Sequence, residues 1–171
     1  MLNSIYRILI TLYREVGRRK WSLYEMAYAQ THNKLTQMEN VSINFMAVVA
    51  AALSMFLIGG FWYSPALFGR QWLKEIGEDD SFLESGNKLI IFGGAFVLAL
   101  IMSFNLAGFV SGYESWTWGL IGGVLAGLGW VAMGLGMIYL FERRSLRLFA
   151  INAGYLVISF TVMGLILGIW K

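Results

Sequence analysis

Residues Trp116 to Trp170 read WTWGLIGGVLAGLGWVAMGLGMIYLFERRSLRLFAINAGYLVISFTVMGLILGIW. Two long apolar runs, Trp116 to Phe141 and Leu146 to Trp170, meet at Glu142-Arg143-Arg144-Ser145. Each run exceeds the roughly 20 residues that an α-helix needs to cross a bilayer. Neither holds an acidic or basic residue in its middle, where one charge costs about 2.5–3.5 kcal/mol on insertion scales. In hydrocarbon every backbone N–H and C=O must be paired within the segment, so both runs are predicted to be helices. The four-residue link predicts an antiparallel hairpin.

Two further apolar runs lie upstream, at about Ile43 to Tyr63 and Leu89 to Val110. The predicted fold is therefore all-α, an integral membrane four-helix transmembrane bundle over residues 43–171 with spans near 43–63, 89–110, 116–141 and 146–170. The link Ser111 to Ser115 is also short, so the second and third spans are expected to be antiparallel neighbours. Trp62, Tyr63, Trp72, Trp116, Trp118 and Trp170 fall near span ends, where amphipathic rings are best placed, and Trp130 falls in mid-span.

Composition agrees. Among 171 residues 58 % are hydrophobic and 13 % charged, against about 25 % charged in a soluble domain. Mean hydropathy is +0.63. The absence of cysteine excludes disulfides, thiolate metal sites and cysteine nucleophiles, and a single histidine, His32, excludes a bis-histidine site within one chain. No cofactor and no metal is expected, and no nucleic-acid signature accompanies the net charge of +3.

Residues 1–42 differ from the rest. Leu2, Ile5, Tyr6, Leu9, Leu12, Tyr13 and Val16 recur at helical spacing, with Arg7, Arg14, Arg18, Arg19 and Lys20 alongside. This run is too short to span and predicts a basic amphipathic helix on a membrane or a partner. Ala27-Tyr28-Ala29 has the form of a cleavage site, but Arg14 to Lys20 occupy the place of an apolar signal core. Met38 offers an alternative start.

Charges near the membrane favour one orientation. Arg70, Lys74, Lys88, Arg143, Arg144 and Arg147 share one side, against Lys34 and Lys171 on the other. The positive-inside rule then puts the arginine hairpin in the cytoplasm and both termini outside. Counting the whole N-terminal extension reverses the balance to seven against six.

Two strings hold the candidate binding residues. In Phe61-Trp62-Tyr63-Ser64-Pro65-Ala66-Leu67-Phe68-Gly69-Arg70-Gln71-Trp72, Pro65 ends the first span. Ser64 is then expected to cap an interfacial helix that starts at Pro65. Trp62, Tyr63, Arg70 and Trp72 form a candidate polar–aromatic pocket. In the stretch from Phe141 to Tyr155, Glu142 stands among Arg143, Arg144 and Arg147 and can orient a guanidinium toward an anionic headgroup or substrate. Asn105 and Asn152 are amides within spans and need partners there, so they are expected to join helices. Tyr155 completes the second string. The acidic loop Glu75, Glu78, Asp79, Asp80 and Glu84 fits no calcium-binding spacing and is expected to be solvated.

Together these two strings and the Gly164/Trp170 ending resemble the domain-of-unknown-function 1761 family over roughly Ile43 to Lys171. The resemblance implies a small bacterial four-span protein of the inner (cytoplasmic) membrane and supplies no mechanism.

Small residues supply the packing signal. Gly119, Gly123 and Gly127 are spaced by four in the third span, and Gly154, Gly164 and Gly168 stand in the fourth. Such ridges let helix backbones approach closely. With no membrane carboxylate for proton coupling and Glu142 as the one plausible acid for a lipid enzyme, a non-enzymatic role is expected. The leading expectation is a structural or accessory subunit packing with itself as a homo-oligomer, or with a larger membrane complex, in contact with membrane lipid. A small oligomeric permease or channel for a neutral or anionic solute is the alternative.

Overall fold

The computed structural model describes residues 14–17, 19–22, 24–33, 43–112 and 115–170. The chain divides into two compact units, Met1–Val41 and Ser42–Lys171. In the first unit the described residues are helical. Val16, Trp21, Tyr24 and Tyr28 are exposed, and the ring of Tyr28 lies 5.7 Å from that of His32. The apolar stripe from Leu2 to Tyr13 lies outside the described residues.

The second unit is helical throughout, with no strand among the described residues. Helix α1 is Phe45–Trp62 and a short helix α2 is Gly69–Ile76. A 3₁₀ turn, Asp80–Leu83, leads to helix α3, Lys88–Val110. Helix α4 is Trp116–Phe141 and helix α5 is Leu146–Ile169. Helices α1, α3, α4 and α5 are long and apolar enough to cross a membrane.

Each of these four begins on a polar cap. Asn44 accepts from the amides of Met46 and Ala47, and Asn87 from Leu89 and Ile90. Ser115 accepts from the Thr117 amide and Ser145 from Leu148. The caps satisfy amides that no helix can pair for itself, at a depth where water is running out. Asn44, inside the first span as predicted from the sequence, is such a cap.

Helix α5 is the hub of the bundle. It packs against α4 and α1 along most of its length and touches α3 and α2. Helix α3 leans mainly on α1. The second and third spans therefore meet less closely than their five-residue link suggested, and a groove of about 150 Å³ lined by Phe109, Trp118, Gly122 and Trp130 lies between them. The core is built from small and flexible residues: Ala47, Ala51 and Ala52 of α1, Ala99 and Leu106 of α3, and Phe160, Met163 and Leu167 of α5. Ser103 of α3 is fully buried and donates to Val48 O at 2.8 Å, which ties α3 to α1.

Glycines set the α4–α5 contact. An added Cβ on Gly119 would meet Gly164 O and fall 2.7 Å from Gly168 Cα. On Gly123 it would meet Phe160 O, and on Gly127 it would fall 2.9 Å from Phe160 Cβ. On Gly168 it would fall 2.8 Å from Trp116 O. No side chain fits between these backbones. Opposite Phe160, residues Leu125–Ala132 of α4 are π-helical, a form in which each amide bonds five residues back rather than four. Periodicity at 3.6 residues gave no sign of it. Trp130, the mid-span tryptophan, lies in this segment with its ring 5.6 Å from Phe109 of α3.

Candidate functional site

One end of the bundle collects the polar and aromatic side chains. Helix α1 ends at Trp62, just before the single proline, and Tyr63 is its C-terminal cap residue. The chain then turns tightly. Phe68 N donates to Trp62 O at 3.1 Å and Gly69 N to Ser64 O at 3.0 Å. Ser64 uses its hydroxyl on Phe61 O, and Phe68, with no side-chain cap, precedes α2. The interfacial helix thus begins at Gly69 rather than Pro65, and Ser64 does not cap it. Residues 65–68 form a turn instead, which brings Gly69 so close to Tyr63 O and Ser64 O that an added Cβ would meet both.

Trp62 and Tyr155 form a reciprocal latch between α1 and α5. The Trp62 indole lies over Gly154, whose added Cβ would fall 3.1 Å from the ring. Its Nε1 donates to Ile151 O at 2.9 Å. In return the Tyr155 ring lies over Gly59 of α1, at 3.3 Å from an added Cβ, and its hydroxyl donates to Met55 O at 3.3 Å. Each helix supplies one ring and one glycine to receive the other's ring.

Asn152 extends the latch to α4. The Tyr63 hydroxyl donates to Asn152 Oδ1 at 2.8 Å, and Asn152 Nδ2 donates to the Tyr139 hydroxyl at 2.7 Å. Rings continue outward. Tyr63 lies 5.3 Å from both Trp72 and Tyr155, Trp62 lies 4.7 Å from Phe68, and Trp72 lies 6.1 Å from Phe82. These tilted and edge-on contacts are the favoured aromatic arrangements.

The arginine hairpin borders this cluster. Arg144 Nε pairs with Glu142 at 3.1 Å. Arg147 pairs with Glu75 of α2 at 3.5 Å, and the Ser145 hydroxyl donates to the same carboxylate. Glu75 is 15 % exposed, so the sequence's solvated acidic loop has one acid that is folded into the bundle. Asp79, farther along, accepts from the Ser81 side chain and amide, which holds its carboxyl below the usual range. Helix α4 ends in a Schellman turn: Arg144 N bonds Tyr139 O and Arg143 N bonds Leu140 O. Arg143 therefore sits at φ 56°, where glycine is usual.

Of the residues singled out in the sequence, Trp62, Tyr63, Trp72, Asn152 and Tyr155 come together. Glu142, Arg144 and Arg147 line their border. Arg143 is exposed and has no acid partner among the described residues. Arg70 is exposed on α2 and does not join the Trp62–Tyr63 cluster. Asn105 joins no helices either. It faces outward from α3, with no side-chain hydrogen bond among the described residues. The reason for both is rotation about a helix axis, which puts each on the outer face. Tyr139, Glu75, Phe68 and Gly59 belong to the cluster and were not anticipated. Tyr139 and Asn152 stand within about two helical turns of the hairpin, which was the available signal for that pair.

Every polar side chain within the latch bonds another group of the chain, so its chemistry is cohesive. Among the described residues no three of His, Cys, Asp or Glu converge. No curated protein and no solved structure matches the chain. The family comparison does find a match: the model described as "Protein of unknown function (DUF1761)" covers residues 46–168, which takes in all four spans, the latch and the arginine hairpin, and the chain belongs to that family.

Proposed function

We propose that this chain is a non-catalytic structural or accessory subunit, working by packing one helix face against another transmembrane helix. That helix comes from a second copy or from a larger membrane complex. The observation that carries the reading is Asn105. Its amide is exposed on α3 between Ile101 and Phe109, one turn to either side and both exposed. It lies five residues inside the end of α3, about 7.5 Å at 1.5 Å per residue. An amide at that depth is poorly served by lipid and well served by a neighbouring helix. Gly108, one turn on, has open space around it and permits close approach.

A permease requires a polar route. The fully buried polar side chains of the bundle are Ser103 and Ser159, and Ser103 already bonds α1. This supports the packing reading over the transport one.

The chain has no native cysteine, so single-cysteine crosslinking in native membranes tests the proposal directly. Gly108→Cys and Ile101→Cys are expected to give a discrete crosslinked species of fixed composition, and Leu57→Cys, on α1, is not. An uncrosslinked chain that is also extracted as a monomer overturns the subunit role.

A further inference from the structure

The outer surface of the α4–α5 hairpin carries a groove of about 340 Å³, within the range of roughly 300–1,000 Å³ for small-molecule sites. Its walls are apolar: Met133, Gly136, Met137 and Leu140 from α4, and Phe149 from α5. Gly136 keeps it open toward the Phe149 ring, which an added Cβ would meet at 3.0 Å. At its hairpin end the lining changes to Arg144 and Ser145. The groove is thus apolar along its length and cationic at the end where α4 meets α5.

Across the hairpin three arginines face two acids. Arg144 pairs with Glu142 through Nε, and Arg147 with Glu75. Among the described residues Arg143 has no acid. It also occupies a left-handed backbone position, which is strained for a residue with a Cβ. Glycine would relieve that strain. An exposed, unpaired arginine held at a glycine position, next to an arginine that lines an apolar groove, indicates a charge placed for a ligand rather than for the fold.

We propose that this groove binds one anionic phospholipid. An acyl chain lies along Met133, Met137 and Leu140, and the phosphate meets the guanidinium of Arg144, with Arg143 adding its free charge. The polarity gradient and the sign of the charge both match an amphiphile with an anionic head. This site is separate from the outer face of α3 and does not depend on the subunit role.

The test is native mass spectrometry on the full chain, exchanged from micelles holding equal phosphatidylglycerol and phosphatidylcholine. The wild-type chain is expected to retain one phosphatidylglycerol in preference to phosphatidylcholine. Arg143→Gly and Arg144→Gln are each expected to weaken that retention about fivefold, the contribution typical of one basic residue at an anionic surface. Met137 is exposed on the groove wall, so Met137→Trp fills the groove and is expected to remove the bound lipid without unfolding the chain. Arg143→Gly separates ligand from fold: it is expected to raise the unfolding temperature while lowering lipid retention. Equal retention of the two lipids overturns the proposal. So does full retention in Met137→Trp, displacement by glycerol 3-phosphate alone, or a polypeptide partner occupying the groove in place of lipid.

Discussion

Asn152 places one amide between two phenols, Tyr63 at 2.8 Å and Tyr139 at 2.7 Å, and so joins three helical segments through a single side chain. Replacement by leucine keeps the branched shape of the side chain and leaves both hydroxyls without that partner. Asn152→Leu is expected to lower stability by ~1–2 kcal/mol, the range for hydrogen bonds between membrane helices and for unpaired buried polar groups. Thermal unfolding in detergent measures it. Tyr63→Phe in the same background should then add little, because the bond it would break is already gone. The sequence made Asn152 legible as an amide in need of a partner, but not which partner. Asn105 shows why. It is the same residue type in a similar setting, yet it faces outward. In a soluble protein, polar residues mark the outer face of a helix and fix its rotation. Here every face is apolar, because lipid and core ask for the same side chains. Rotation is then decided by shape, which no hydropathy pattern records.

At the level of the element, shape is what made the glycines legible. A small-residue ridge states where a backbone comes close, whatever the surrounding medium. Gly119, Gly123 and Gly127 on α4 meet Gly164, Gly168 and Phe160 on α5 with no room for a methyl group. Gly164→Ala would press its Cβ to 2.9 Å from Gly123 Cα, and only a shift of whole helices relieves that. The expected loss is about 1–3 kcal/mol, as for other overpacked sites. Gly134→Ala, also on α4, meets nothing within 4 Å. It should be neutral or stabilising by up to ~1 kcal/mol from helix propensity. Unfolding of the two variants side by side checks the contrast, and equal losses would mean that the α4–α5 contact is not set by its glycines. The π-helical segment Leu125–Ala132 was hidden from the sequence. No proline or polar residue marks it. The start of the interfacial helix was hidden for a related reason. Pro65 marks where α1 must stop, but nothing in the string marks the turn over residues 65–68 that brings Gly69 against the carbonyls of Tyr63 and Ser64.

At the scale of the whole molecule, the four spans give the bundle two unlike ends. The latch end carries Arg70, Lys74, Lys88, Arg143, Arg144 and Arg147. The other end holds the short link around Gly112. Residues 1–41 form a unit of their own with further basic residues. Orientation is weighted toward charges within about 15–20 residues of a span, and Arg7, Arg14, Arg18, Arg19 and Lys20 all lie more than 20 residues before Phe45. The latch end is therefore expected to face the cytoplasm, and the N-terminal unit is expected to follow the bundle rather than direct it. Single cysteines at Ser85 and Gly112, in a chain with none of its own, report this through labelling by an impermeant maleimide on intact cells. Position 112 should label and position 85 should not. Deleting residues 1–37 should leave that pattern unchanged. Neutralising Arg143, Arg144 and Arg147 together to glutamine should give a mixed pattern, since those three supply half of the six near-membrane charges at that end. If the deletion inverts the labelling instead, the distant arginines govern insertion, and the arginine hairpin lies outside the cytoplasm.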